Sequence, residues 1–259
     1  MKNSTLEFKI DDQFNVSKIR LLGLLEEISS SELFTNTICL TSESILTHKI
    51  DEMWDDSNCR IDLANLHNIL DSISNTDTGI VIFSDKTKVQ IIIPPLPIPK
   101  DISSIGTDVT KLIELIQSDI TIGVILVRLG HYAIGILQNS TLVCSKTGSR
   151  YVKRSHRAGG SSQRRFERSR ERLIKEMLDK TCEETMNLFD NFGKNINYLF
   201  VGGEKHTLQR FSKTCRYLSK LDTIKLNLVL EVERPSHKTL TQIHHQVWKS
   251  RVITIHHVG

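Results

Sequence analysis

The sequence predicts an α/β protein, with a C-terminal mixed β-sheet and helices packed against it, preceded by a small α+β N-terminal domain. Three observations carry this expectation. Short apolar runs with β character recur at residues 80–93, 121–144, 196–201 and 225–232, bounded by turn residues. Segments with helical recurrence alternate with the later runs, above all 163–191, which is the arrangement of a sheet covered by helices. The composition is that of an ordinary globular chain: of 259 residues 39% are hydrophobic and 25% charged, with 13 Gly and 5 Pro, so collagen-like, disordered and disulfide-scaffold classes are excluded.

Taken in order, residues 1–35 are expected to hold an amphipathic helix, because Val16, Ile19, Leu21, Leu22, Leu24, Leu25 and Ile28 follow polar Asp12 and Asn15 at mostly helical spacing. A second helix is expected at 63–73. Ile80 and Ile82, then the run 89–93, flank Ser84-Asp85-Lys86-Thr87, the pattern of a hairpin turn. Residues 94–99 contain four of the five prolines and read as a stiff connector, since proline cannot continue a sheet or helix. The domain boundary is expected after it, giving domains of 1–105 and 106–259. A helix with Val109, Leu112, Ile113, Leu115 and Ile116 then leads into strands at 121–129, 132–138 and 141–144, with turns at Gly130-His131 and Asn139-Ser140. A basic loop, 146–162, precedes a long helix of about 163–191 that ends at Gly193. Strand 196–201, helix 204–218 and strand 225–232 follow, and the tail offers a helix with Ile243 and Val247 and a last strand at 252–255.

No stretch approaches the roughly 20 apolar residues of a membrane helix, and the first residues lack the apolar centre of a signal peptide, so a cytoplasmic protein without membrane contact is expected. The cysteines Cys39, Cys59, Cys144, Cys182 and Cys215 are odd in number and form no CxxC, and buried thiols are the expectation. The charge is uneven. Residues 146–175 hold eleven Lys or Arg against Glu167 and Glu171, an excess of nine positive charges in a chain whose formal net charge is only +4, so the remainder is mildly acidic. Such segregation points to a polyanion-facing surface, because neutralising phosphates releases counterions; the competing reading is a solvated helix face, which usually mixes both signs more evenly.

The chemistry is concentrated in Arg157-Ala158-Gly159-Gly160-Ser161-Ser162-Gln163-Arg164-Arg165. Two adjacent glycines let the backbone take φ > 0 and press against a ligand. Ser161 or Ser162 can cap the following helix, whose free N–H groups and positive dipole end favour an anion. Gln163 then stands at the tip of the loop, neutral and able both to donate and to accept. The alternative is a loop with a polar cap.

The motifs Val-Arg-Leu-Gly-His-Tyr-Ala-Ile-Gly from Val127, Ser-Lys-Thr-Gly-Ser-Arg-Tyr-Val from Ser145 and Gly-Gly-Ser-Ser-Gln-Arg-Arg-Phe-Glu-Arg from Gly159 resemble the prokaryotic branch of the Vms-like release factor family. That family is similar to the central domain of eukaryotic and archaeal peptide-chain release factors and of Pelota. The resemblance is close over residues 127–172 and looser over the C-terminal domain. It implies a ribonuclease H-like sheet and an activity on peptidyl-tRNA at stalled ribosomes or split large subunits, through a glycine-rich loop ending in glutamine. Carried over by position, Gln163 is the catalytic glutamine, Gly159 and Gly160 its hinge, and Ser161 and Ser162 complete the loop. Release factors have Gly-Gly-Gln and the eukaryotic Vms branch has Gly-Gly-Ser-Gln, whereas two serines intervene here. Lys146, Arg150, Lys153, Arg154, Arg157, Arg164, Arg165, Arg168 and Arg172 are the expected RNA-binding residues, with arginine suited to bidentate phosphate contact.

The expected partners are peptidyl-tRNA and the ribosome or its large subunit with its rRNA, the protein acting as a monomer without cofactor or metal. Rival expectations are a tRNA 3′-end endonuclease using the same site and a non-catalytic, Pelota-like ribosome-binding factor. Weaker signals have plainer readings. Gly202-Gly203 after a strand is expected to serve tight packing rather than phosphate binding, and His244-His245 and His256-His257 lack the carboxylate or cysteine partners of a metal site. Tyr151 and Phe166 bracket the loop and could stack on a base, although the helical spacing of Phe166 favours a core position. The sequons at Asn3, Asn15 and Asn139 mean nothing without secretion.

Overall fold

The computed structural model describes residues 9–31, 33–54, 61, 63–73, 76–152, 161–193 and 195–256. The chain divides into two compact units, Met1–Ser118 together with Trp248–Gly259, and Asp119–Val247.

The first unit is built on an antiparallel sheet of six strands. In chain order it contains β1 (Lys9–Val16), α1 (Lys18–Ser31), β2 (Asn36–Leu40), α2 (Ser42–Leu46), α3 (Leu63–Ser72), β3 (Ile80–Ser84), β4 (Lys88–Ile93), β5 (Ile102–Ile105) and α4 (Thr110–Gln117), and from the far end of the chain β11 (Ser250–His256). The strand order is β1-β11-β4-β3-β2-β5. The hairpin of β3 and β4 has the turn expected from sequence, with the Asp85 carboxylate accepting from the Thr87 and Lys88 amides.

Three expectations are corrected in this unit. Val16 closes a strand rather than opening a helix, and α1 begins two residues later, with Leu21, Leu25 and Ile28 as its buried stripe. The proline-rich stretch is no linker between domains. Pro94, Pro95, Leu96 and Ile98 are buried inside the unit, where the Pro94 carbonyl accepts from the Thr78 hydroxyl at 2.7 Å and Ile98 N–H donates to Thr78 O at 2.9 Å. Finally, the last strand does not extend the C-terminal sheet. β11 lies between β1 and β4, pairing Ile253 with Gln13 on one side and Ile91 on the other, so the boundary read at 105/106 moves to 118/119 and residues 248–259 return to the first unit.

The second unit contains β6 (Thr121–Arg128), β7 (His131–Gln138), β8 (Thr141–Ser149), α5 (Ser161–Phe192), β9 (Tyr198–Gly203), α6 (Lys205–Thr214), α7 (Tyr217–Lys220), β10 (Ile224–Leu230), α8 (His237–Gln242) and α9 (His244–Val247). Its sheet order is β10-β9-β6-β7-β8. β6, β7 and β8 form an antiparallel meander, whereas β9 and β10 join parallel to β6 by way of helices. This mixed sheet is the ribonuclease H-like arrangement. The central strand is buried from Ile122 to Val127, because helices cover both faces: Ile125, Val127, Ile134 and Ile136 meet Ile174, Met177 and Leu178 of α5, and Gly135 backs onto Leu240 of α8.

Cys182 on α5 and Cys215 just after α6 form a disulfide, with Cα atoms 5.3 Å apart. That corrects the expectation of buried free thiols for this pair; Cys39 is a buried free thiol, Cys144 a half-buried one, and Cys59 lies outside the described residues. The two bonded cysteines are 33 residues apart in the chain, and only the packing of α6 on α5 brings them together.

Candidate functional site: the β8–α5 junction

The strand leading to the loop is longer than its apolar pattern announces. β8 runs to Ser149, so Lys146 and Gly148, expected in the loop, are part of the sheet. Gly148 is there for space. It pairs with Tyr132 on β7, and a Cβ at Gly148 would lie 2.3 Å from the Tyr132 ring, so the ring can cross the neighbouring strand only where no side chain stands. The N–H of Arg150 donates to the Gly130 carbonyl at 3.0 Å, which extends the ladder one step past the strand. Gly130 takes φ +92° in the β6–β7 turn, a conformation other residues adopt only with strain.

Lys153, Arg154, Arg157, Gly159 and Gly160 lie outside the described residues. From Ser161 on the described chain is helical, so Ser161 and Ser162, expected in the loop, are residues of α5, and Gln163 is a half-buried residue of the same helix. Its side-chain amide donates to the Glu167 carboxylate at 3.0 Å, one turn on. No donor among the described residues meets the amide oxygen of Gln163.

α5 has 32 residues, roughly 48 Å at about 1.5 Å per residue, and its two parts differ. From Gln163 to Leu173 no described residue is buried, and Phe166 is half-buried; from Ile174 onward Ile174, Met177, Leu178, Thr181, Thr185 and Phe189 are inside. The buried hydroxyls of Thr181 and Thr185 each donate to the carbonyl four residues back, at 2.8 Å. The core thus holds about the C-terminal three-fifths of the helix, from Ile174 on.

The expected RNA-binding cations fall into two sets. Arg150 and Arg172 both reach Glu176, at 2.6 and 3.7 Å, and Lys146 reaches Glu184 at 3.7 Å; the pairs of Arg150, just past β8, and Lys146, on it, join this edge to α5, whereas that of Arg172 lies within α5. Arg164, Arg165 and Arg168 are exposed and make no ion pair among the described residues. A pair that sequence reasoning missed lies behind them: Arg210 on α6 clasps Glu171 with both guanidinium nitrogens, at 2.6 and 3.4 Å. Glu171 and Glu176 are therefore engaged by arginines, and the solvent side of the first turns is left cationic. These partly exposed pairs are each worth under about 1 kcal/mol, so a phosphate can compete for the same guanidinium.

Between the β6–β7 turn, the end of β8 and α5 lies a cleft of about 610 Å³ lined by Gly130, His131, Arg150, Tyr151 and Arg170 among others. Tyr151 stands at its edge, 76% exposed. The sequence marked Gly130-His131 only as a turn. Of the weaker signals, Gly202-Gly203 closes β9 in tight packing: a Cβ at Gly203 would lie 2.0 Å from the Val127 carbonyl oxygen. The rings of His244 and His245 lie 4.0 Å apart. Among the described residues no group of three His, Cys, Asp or Glu is placed to hold a metal, and no helix is long and apolar enough to cross a membrane.

The chain is similar to peptide-chain release factors and, in fold, to Pelota proteins. Peptide chain release factor subunit 1 of Aeropyrum pernix is 35% identical over 75 residues, which is 29% of this chain and 20% of that protein; the Methanopyrus kandleri protein of the same name is 26% identical over 129 residues, 49% and 31%. The chain thus matches a third or less of the length of these relatives. Among solved structures, the archaeal translation termination factor aRF1 aligns over 90% of this chain and 73% of its own, at 18% identity and a TM-score of 0.39. Pelota of Archaeoglobus fulgidus aligns over 92% and 63%, at 11% and 0.28. The family model of the Actinobacteria/chloroflexi VLRF1 release factor matches residues 120–253, just over half of the chain, and the chain belongs to that family.

Proposed function

We propose that this release-factor family member is a peptidyl-tRNA hydrolase that frees nascent chains on stalled ribosomes or split large subunits, with Gly159–Gln163 as its catalytic segment. The observation that carries the reading is the setting of Gln163: a neutral amide on α5, three residues past a double glycine in the sequence and followed by Arg164, Arg165 and Arg168, which make no ion pair among the described residues. Membership of a release factor family supports it independently.

A glutamine is no general base near neutral pH, so its contribution is orientation and hydrogen bonding. The pair with Glu167 restrains the side chain and leaves the amide oxygen to accept from a water, turning that water's lone pair toward the ester carbon between peptide and tRNA. The free N–H groups of the first helical turn, and Gln163 Nε2 once it leaves Glu167, are the donors for the developing oxyanion. Arg164, Arg165 and Arg168 hold backbone phosphates of the tRNA or rRNA, a recognition of shape and charge rather than of sequence.

The test is peptide release from stalled large subunits by the wild type and by Gln163→Ala. The variant is expected to lose at least about 100-fold in release rate, the order of loss for removal of one such hydrogen-bonding group. The tRNA product should keep an intact CCA end. Near-normal release by the variant overturns the role of Gln163, and a truncated tRNA end assigns the site to phosphodiester cleavage.

A further inference from the structure

The cleft beside the first turns of α5 has features that peptide-ester hydrolysis does not use. Tyr151 is 76% exposed, whereas its neighbour Val152 is half-buried against the α5 and β7 core. That anchor, with the Arg150 N–H bonded to the Gly130 carbonyl at 3.0 Å, fixes the backbone that carries the aromatic ring. An immobilised backbone presenting a large aromatic side chain to solvent is a ready platform for stacking, because little further ordering is needed on binding. Gly130, at φ +92° and without a side chain, leaves bare backbone on the wall of the cleft, so a flat group can approach closely.

The charged lining is one-signed. His131, Arg150 and Arg170 face the space, and no carboxylate is among its described lining residues. The carboxylates that meet these cations approach from α5 itself: Glu176 lies 2.6 Å from Arg150, and Glu171 lies 3.7 Å from Arg170. The volume, about 610 Å³, is that of a small-ligand site. A flat π-face, an open backbone wall and two guanidinium groups match an unstacked base attached to a phosphate. An acidic peptide would use the cations and leave the ring without a partner, and a duplex would keep its bases stacked away from it.

We propose that this cleft binds one unstacked nucleotide of a single-stranded RNA end, with the base on the Tyr151 ring and the phosphate against Arg150 and Arg170. The inference rests on the reading of the chain as a factor that handles tRNA, and it adds a recognition element separate from Gln163.

The experiment measures binding by fluorescence anisotropy at fixed salt, using a labelled single-stranded RNA heptamer and a blunt RNA hairpin with the same number of phosphates. Tyr151→Ala is expected to weaken heptamer binding by about 5- to 100-fold, the range for loss of one base-stacking partner, and to leave hairpin binding within about twofold. Tyr151→Trp is expected to restore heptamer binding and to show indole quenching on addition of the heptamer. Equal weakening of both RNAs, no weakening of either, or displacement of the heptamer by a poly-glutamate peptide of equal charge overturns the proposal. Gln163→Ala serves as the separating control. It should bind the heptamer like the wild type, so loss of the catalytic reading and loss of the nucleotide site give different results.

Discussion

Gln163 and Asp101 show how much of a side chain's behaviour is set by what donates to it or accepts from it. Gln163 is half-buried and bonded only one turn along its own helix, so Gln163→Ala removes an i,i+4 interaction worth about 0.2–0.5 kcal/mol and should leave the thermal midpoint almost unchanged while release is abolished. A large fall in stability would mean that the variant's inactivity says nothing of chemistry. Asp101 is the opposite case. Burial pushes its carboxyl up, but hydrogen bonds from Lys49, the Thr41 N–H and Ser44, at 2.8, 2.9 and 2.7 Å, outweigh it and hold the group at about 2, below the ordinary 3.8. A carboxyl held down in the folded state stabilises fully above the unfolded value, and that contribution fades as pH falls from 3.8 toward 2. Asp101→Asn is therefore expected to lower the melting temperature at pH 7, with the gap to wild type closing as pH approaches 2; a gap independent of pH would show that the charge is not what stabilises. The motif singles out Gln163 in the sequence. That Ser161 and Ser162 are helical was not legible, because serine suits a cap and a helical turn equally well.

At the scale of elements, α5 is the one on which fold and proposed function meet. Its periodicity was legible nearly to the residue, 163–191 expected against Ser161–Phe192 observed, since a long apolar stripe with a glycine at its end admits few alternatives. Which of its charges stay free was not legible. Glu171 is answered by Arg210, 39 residues away on another helix, and Glu176 by Arg150 just past β8, pairings that only the packing creates. The same holds for the disulfide between Cys182 and Cys215. The buried stripe begins at Ile174, so replacing Arg164, Arg165 and Arg168 by Ser touches no core residue. The triple variant is expected to bind RNA or large subunits more weakly, and each phosphate left without its arginine should reduce the slope of log K against log salt by about 0.7–0.9. A slope identical to that of the wild type would make the stripe a solvated face.

Whole-molecule organisation is where local pattern carried least information. The ribonuclease H-like sheet of the second unit could be anticipated as strands followed by alternating α and β, because its β6, β7 and β8 are consecutive and its crossovers are helical. Nothing local tells β11 which sheet to join. Val252, Ile253 and Ile255 read as a strand in either place, and the outcome is decided by the gap between β1 and β4, where β11 completes backbone pairing on both edges at once. The first unit is thus closed by a segment more than 130 residues away from α4 in the chain, and a change there should be felt by that unit alone. Ile253 is fully buried between Gln13 and Ile91 in register. Ile253→Asp puts an unpaired carboxylate into this core and costs more than about 4 kcal/mol, a large part of the about 5–15 kcal/mol that holds a domain. Hydrogen exchange read by mass spectrometry is expected to show reduced protection in β1, β3, β4 and β11, with β6, β7 and β9 protected as in the wild type. A uniform reduction across both sheets would show that the two units fold as one, and unchanged protection in β4 would show that β11 is not the strand that closes the first sheet.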